Sequence, residues 1–341
     1  VNYLAMGDVD GALVEARASD IALQQLYQKS DKKTNDAGYL RYLIALVYEM
    51  GGEMDNAAIS YYKTVRAYSE EPTKLPAEAQ AFIVNRLEKS GRANDISALN
   101  FPNGNVSETV PMYVDNANGE IVVIGYAGHS AILGEWMLSG TYVRGGILNV
   151  MGKNPQSGKV ESLTIPFPAT AVGSHGGTTF SVTIAIPERK DVPYHVENFE
   201  ILLDGKPLGY QPEVFLDNTK NLVKNLEDER AVTLGRTAVR VLTRTIAAQT
   251  AKKQMETSNV LLNLVTSVGT DVAAAQLEQA DLRVALFLPH DVRMTRVPAT
   301  PGTHKVTVLA TNRNGGAVKR YEFTANVKPG KKALVIVPAI R

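Results

Sequence analysis

Cysteine is absent from this chain of 341 residues, which removes disulfide frameworks, iron–sulfur clusters, cysteine nucleophiles and thiolate zinc sites together. Tryptophan is nearly absent: Trp136 is the single one, so the broad aromatic platforms that stack on sugars are scarce. An excess of charge is lacking too. The chain has 36 Lys+Arg against 35 Asp+Glu, a formal net charge of +1, which offers no electrostatic ground for a nucleic-acid or anionic-membrane partner. No apolar run approaches the roughly 18 residues of a membrane span; the longest, Val260–Val268, is interrupted by Asn263, Thr266 and Ser267. The five histidines share no metal-ligand spacing such as H-x-H or H-E-x-x-H, so neither a metal nor a cofactor is expected.

What is present falls into four blocks. Residues 1–99 carry apolar positions at helical spacing, among them Ala12, Ala16 and Leu23, then Tyr39, Leu43 and Leu46, then Ala57, Tyr61 and Val65. Gly7-Asp-Val-Asp10-Gly-Ala12 reappears as Gly52-Glu-Met-Asp55-Asn-Ala57, an internal repeat that predicts tetratricopeptide-like helical hairpins. Residues 100–215 turn to short β-branched runs (Ile121–Ile124, Thr141–Val143, Val160–Ile165, Thr178–Ile186, Phe199–Leu203) with a hairpin signal at Asp204-Gly205. Long helices do not separate these runs, so a parallel sheet is not expected. Residues 216–280 return to helix, with a stripe from Leu222 to Ile246, a kink point at Gly235 and a second helix over Asp271–Gln279. Residues 281–341 are again strands, around Asn314-Gly315 and Pro329-Gly330. The expectation is an α+β fold: a helical domain, then an antiparallel β-rich, sandwich-like domain in two parts with a helical insertion between them.

Each candidate for chemistry has a plain structural counterpart. Gly128-His129-Ser130 approaches the G-x-S-x-G nucleophile elbow, but Ile132 stands where the second glycine belongs. His175-Gly176-Gly177 lies after that serine, whereas in the hydrolases such a stretch comes before it. Val172–Thr179 is glycine-rich yet lacks the lysine and following helix of a phosphate cradle. Glu227-Asp228-Glu229-Arg230 reads as solvated helix charge. Arg236, Arg240 and Arg244, four residues apart, share one helix face; they form either a docking stripe for an acidic partner or phosphate-bearing lipid, or salt bridges within the domain. No catalytic residue is assigned.

Taken in order, several stretches resemble one family, an uncharacterised group of bacterial envelope lipoproteins with a tetratricopeptide-like N-terminal half. They are Asn2–Asp8, Ala12–Arg17, Tyr42–Glu49, Ala57–Tyr62, Gly119–Val123, Thr183–Pro187, Arg236–Arg244, Ala280–Arg283 with Leu288-Pro289, and Pro301–Val306. Where the family tends to carry a tryptophan after Ala-Asp-x-Arg, this chain has Val284-Ala285. The resemblance implies a periplasm-facing protein associated with the outer membrane, and supplies no reaction. The chain opens at Val1 inside a helical pattern, so a signal peptide and a lipid-carrying cysteine are expected upstream, and membrane association only through that anchor. The expected function is a non-catalytic scaffold of an envelope complex. Its expected partners are other envelope lipoproteins, in a homo- or hetero-oligomer. The alternatives are a glycan- or lipid-binding periplasmic module and a serine hydrolase through Ser130.

Overall fold

The computed structural model describes residues 2–29, 37–99, 101, 119–143, 147–166, 179–254, 280–283, 285 and 287–340. The expected helix over Asp271–Gln279 and the glycine-rich stretch before Thr179 lie outside them. The chain divides into two compact units: Val1–Ser130 with Pro193–Asn221 and Phe287–Arg341, and Ala131–Val192 with Leu222–Leu286. This division cuts across the four blocks of the sequence.

Unit 1 begins with helices α1 (Asn2–Ala5), α2 (Val9–Lys29), α3 (Ala37–Met50), α4 (Met54–Tyr68), α5 (Ala77–Lys89) and α6 (Ala93–Ser97), each packed on the next. The repeat seen in the sequence is a repeated way of ending a helix. At Gly7, Gly52 and Gly91 the chain takes φ between +69° and +80°. The amide of the following residue then reaches the carbonyl five residues back: Asp8 to Tyr3, Glu53 to Tyr48, Arg92 to Leu87, all at 2.9 Å. A left-handed residue followed by that bond is the Schellman stop, which satisfies the last carbonyls of the helix and favours glycine. Gly91 is a third copy, beyond the two legible in sequence.

The helices cover one face of a four-stranded sheet of β12 (Lys332–Ala339), β1 (Glu120–Ala127), β9 (Asp291–Pro298) and β8 (Glu213–Asp217), in that order. Its other face meets a second sheet of β11 (Ala317–Val327), β10 (Gly302–Thr311), β6 (Asn198–Leu203) and β7 (Lys206–Pro207). Strand β1 shows the alternation that makes this layering. Val122 and Ile124 join the helical core, while Ile121 and Val123 join the core between the sheets. Gly125 leaves room for the ring of Phe199 from the facing sheet; a Cβ there would sit 2.3 Å from it. The strands of 281–341 thus pair with those of 120–127 and 198–217, and the two sheets form a sandwich.

One pairing corrects the expectation of purely antiparallel sheets: β1 and β12 run parallel, Glu120 opposite Lys332 through Ala127 opposite Ala339. The expectation excluded parallel pairs because no βαβ unit is present. Here the two strands come from distant parts of the chain and need no local crossover.

Unit 2 is an antiparallel sheet of β4 (Val160–Pro166), β3 (Ile147–Lys153), β2 (Ile132–Val143) and β5 (Thr179–Lys190). Helix α7 (Asn218–Gln254) supplies Leu234, Ala238 and Val241 to a core with Trp136, Leu138, Ile184 and Ile186. The side chain of Asp217 caps α7, accepting the amide of Lys220 at 2.8 Å. The helix is uninterrupted at Gly235. Its 37 residues span about 55 Å at 1.5 Å per residue.

Candidate functional site

Positions Leu222, Leu226, Arg230, Thr233, Arg236 and Arg240 recur along α7 at intervals of three and four residues, so they share one face. In unit 2 this face forms one wall of a cleft of about 420 Å³. Leu133 of β2, Ala185, Ile186 and Pro187 of β5, and the segment Ala280–Arg283 line the rest. That segment is tied to the sheet by the amide of Ala280, which donates to Glu135 Oε1 at 2.8 Å.

Four arginines line the cleft, Arg230, Arg236, Arg240 and Arg283, against two carboxylates, Glu229 and Asp281. Arg230 and Arg283 each pair with a carboxylate. Arg230 donates to the buried Glu188 carboxylate and lies 5.8 Å from the centre of the Trp136 ring. Arg283 makes a two-pronged pair with Asp281 at 2.9 and 2.6 Å, and its hydrogen bonds hold the Asp281 carboxyl down at about 2. Arg236 is exposed, and among the described residues its guanidinium makes no ion pair. Of the three arginines picked out from sequence, Arg236 and Arg240 line the cleft. Arg244 is exposed one turn further along and does not. Arg230 and Arg283 were missed. Arg230 sat inside an acidic cluster, and Arg283 lies far along the chain from the helix.

The other candidates resolve differently. Ser130 is buried, and its amide donates to the Leu288 carbonyl at 3.0 Å. Nδ1 of His129 lies 2.8 Å from the backbone carbonyl of Ser130, so the imidazole is turned to the main chain. His304 bonds Asp204 at 2.8 Å, a contact that raises its pKa. Among the described residues no cluster of three or more His, Asp or Glu is placed to hold a metal ion.

Unit 1 holds a buried ionic cluster with no counterpart in the sequence reading. Arg296 of β9 is fully buried between the sheet and the helices. It donates to Glu49 Oε2 of α3 at 2.7 Å and to the Tyr61 hydroxyl at 3.1 Å. Its guanidinium stacks 3.8 Å from the centre of the Phe82 ring, and Glu120 stands 3.7 Å away. Glu49 is also paired with Arg86 at 2.8 Å and Lys332 at 3.5 Å. Burial alone would raise the Glu49 carboxyl, but Arg296, Lys332 and Arg86 together overcome it and hold the group at about 2. Elsewhere in unit 1, burial and then the neighbouring Glu78 push Glu213 up to about 7.

No protein-family model matches this chain, and neither a curated protein nor a solved structure does.

Proposed function

We propose that the chain is a non-catalytic scaffold of a bacterial cell-envelope complex, facing the periplasm at the outer membrane, and that it works through protein–protein contacts in a homo- or hetero-oligomer with other envelope lipoproteins. The location rests on the family resemblance. The mode of action rests on helix α2. Ala12, Leu13, Ala16 and Leu23 bury one face of it. Val14, Ala18, Ile21 and Ala22 leave a second apolar stripe in solvent, with Val14 61% and Ile21 58% exposed. These four fall at i, i+4, i+7 and i+8, the spacing by which a helix packs on another. With α1–α6 read as tetratricopeptide-like hairpins, a reading the three identical glycine stops support, this stripe is the open side of a helical stack. Its occupant is then an amphipathic helix of a partner protein.

Val14→Glu with Ile21→Glu tests this, because both side chains are exposed and the change spares the core. The unaltered protein is expected to co-purify with a partner and to run above the 36.9 kDa of one chain in light scattering. The double variant is expected to lose that partner while keeping its circular dichroism. A monomer without partner, or an assembly indifferent to the two changes, overturns the scaffold.

One observation favours a second reading, a lipid- or glycan-binding module. Unit 2 has a cleft of ligand size, lined by apolar side chains (Leu133, Ile186, Leu222, Leu226) together with polar and charged ones, which offers both surface and hydrogen-bonding groups to a small molecule.

A further inference from the structure

The unit 2 sheet has one covered face and one open face. Trp136, Leu138, Leu148, Val150 and Ile184 turn toward α7, and the residues between them point the other way. The strand register sets these outward side chains in rows. Ser181, Thr141, Asn149 and Thr164 make one row, and Thr183, Ser139, Met151 and Ser162 the next. Met137, Ile147 and Val160 flank the rows. Thr183 is half-buried and the others are exposed.

None of these side chains is charged, in a chain that is 21% charged. Four of them, Met137, Ile147, Met151 and Val160, are large apolar groups in solvent, and methionine adapts its shape to whatever packs on it. Part of the polar remainder is already bonded across the strands. The hydroxyls of Ser139 and Thr183 lie 3.2 Å apart, and Thr164 Oγ1 donates to Asn149 Oδ1 at 2.9 Å. Polar groups that keep such partners cost little to cover, whereas groups that depend on water cost the full desolvation.

The occupant follows from charge. A polyanion needs cations on such a face and a sugar favours aromatic rings, and these rows hold neither. A two-fold interface must match itself, so a charged patch would meet its own sign and an uncharged one does not. The strand order β4-β3-β2-β5 puts the middle of the sheet between β3 and β2. A two-fold running along the strands there lays β3 of one copy over β2 of the other, about 10 Å away. Charge returns at one end of the face, with Lys153 on β3 and Glu135 on β2. The same two-fold brings that end of both copies together and turns each lysine toward a glutamate of the opposite copy.

We infer that this open face is where two copies of the chain pack, sheet on sheet, with Ser139, Thr141, Asn149 and Met151 at the centre. It rests on the oligomer of the scaffold reading and gives that oligomer a surface separate from the α2 stripe. Four strands of about seven residues make a face of roughly 19 by 24 Å. Two copies together cover about 900 Å², under the roughly 1,200–2,000 Å² of a standard stable complex. The pairing is therefore weak and reversible, and joins chains that α2 holds to other partners.

Sedimentation equilibrium of the full chain, carried to several hundred micromolar, tests the inference. The mass is expected to rise from the 36.9 kDa of one chain toward twice that value. Thr141→Lys with Met151→Lys sets like charges face to face and is expected to weaken the pairing at least tenfold with the circular dichroism unchanged. A second measurement uses the absence of cysteine: Thr141→Cys is expected to give a covalent dimer with a short bismaleimide, and Val239→Cys, exposed on α7, is not. Val14→Glu with Ile21→Glu is expected to leave the pairing intact. A chain that stays monomeric at the highest concentration overturns the inference, as does equal cross-linking of the two cysteine variants. Self-association lost in the α2 variant but kept in the lysine variant overturns it and leaves the scaffold standing. A monomer that binds a neutral oligosaccharide, and loses it in the lysine variant, assigns the face to a sugar and overturns the second copy.

Discussion

Arg296 and Glu49 meet although 247 positions separate them, and their surroundings make the two unequal. Without Arg296, Glu49 would still have Arg86 and Lys332 within 3.5 Å. Without Glu49, three cations lose the carboxylate they share, and Glu120 stands within 3.7 Å of two of them, Arg296 and Lys332. Glu49→Met is therefore expected to cost about 3–5 kcal/mol, the range for breaking a buried pair and stranding charge. Arg296→Met is expected to cost less, because its remaining partners stay paired and a Met side chain fills apolar space. Urea denaturation of the two variants checks the order; a larger loss for Arg296→Met would show that cation stacking on Phe82, and not charge balance, holds the cluster. None of this was legible in the sequence. Glu49 closes an apolar helical stretch where a single acid reads as a solvated end, and no local pattern announces an arginine from a strand so far along the chain.

Among the elements, two glycines in helical surroundings are predicted to respond in opposite directions. Gly52 sits at φ +80° with nothing within 4 Å of the position a Cβ would take, so Gly52→Ala should destabilise through backbone conformation alone, by about 1 kcal/mol. Gly235 lies inside α7, also with open space around it. Gly235→Ala should stabilise by about 0.5–1 kcal/mol, the ordinary helix-propensity difference. Thermal melts of the pair decide it, and equal signs would remove the Schellman account of the turns. The first element boundaries were visible because glycine punctuates these helices and because β1, β5, β10 and β12 are rich in β-branched residues, while β2, β4, β6 and β11 show shorter apolar runs. Strands β3, β8 and β9 were not visible. β9 reads Asp-Val-Arg-Met-Thr-Arg-Val-Pro, and its arginines mask a run that is buried on both faces because the ionic cluster absorbs one of them. In the cleft, Arg236 and Arg240 could be read from their four-residue spacing on one helix. Their companions could not, since tertiary folding alone brings Arg283 to the same rim.

At the scale of the whole molecule, Glu49 and Glu213 give stability a pH optimum with opposite limbs. Glu49 is lowered from 4.5 to about 2, so its contribution is present above pH 4.5 and lost as pH falls through 2. Glu213 is raised from 4.5 to about 7; the folded protein holds its proton longer than the unfolded chain, so its contribution is full below pH 4.5 and lost as pH rises through 7. Glu213→Gln is expected to raise the urea midpoint at pH 8 relative to the unaltered protein and to change it little at pH 4.5. A midpoint unchanged at both pH values would mean that Glu213 is hydrated in the folded state. The parallel pairing of β1 with β12 bears on how this chain is made. On the ribosome β1 is complete roughly 210 residues before its neighbour β12 exists, an interval of about 10–40 s at 5–20 residues per second. Its other neighbour, β9, is also made late, so for most of that interval a strand apolar on both faces waits in the nascent chain with both edges unfilled, and the sheet that anchors unit 1 closes late in synthesis. Newly made chains, more than mature ones, are the form in which a holding chaperone would find this protein.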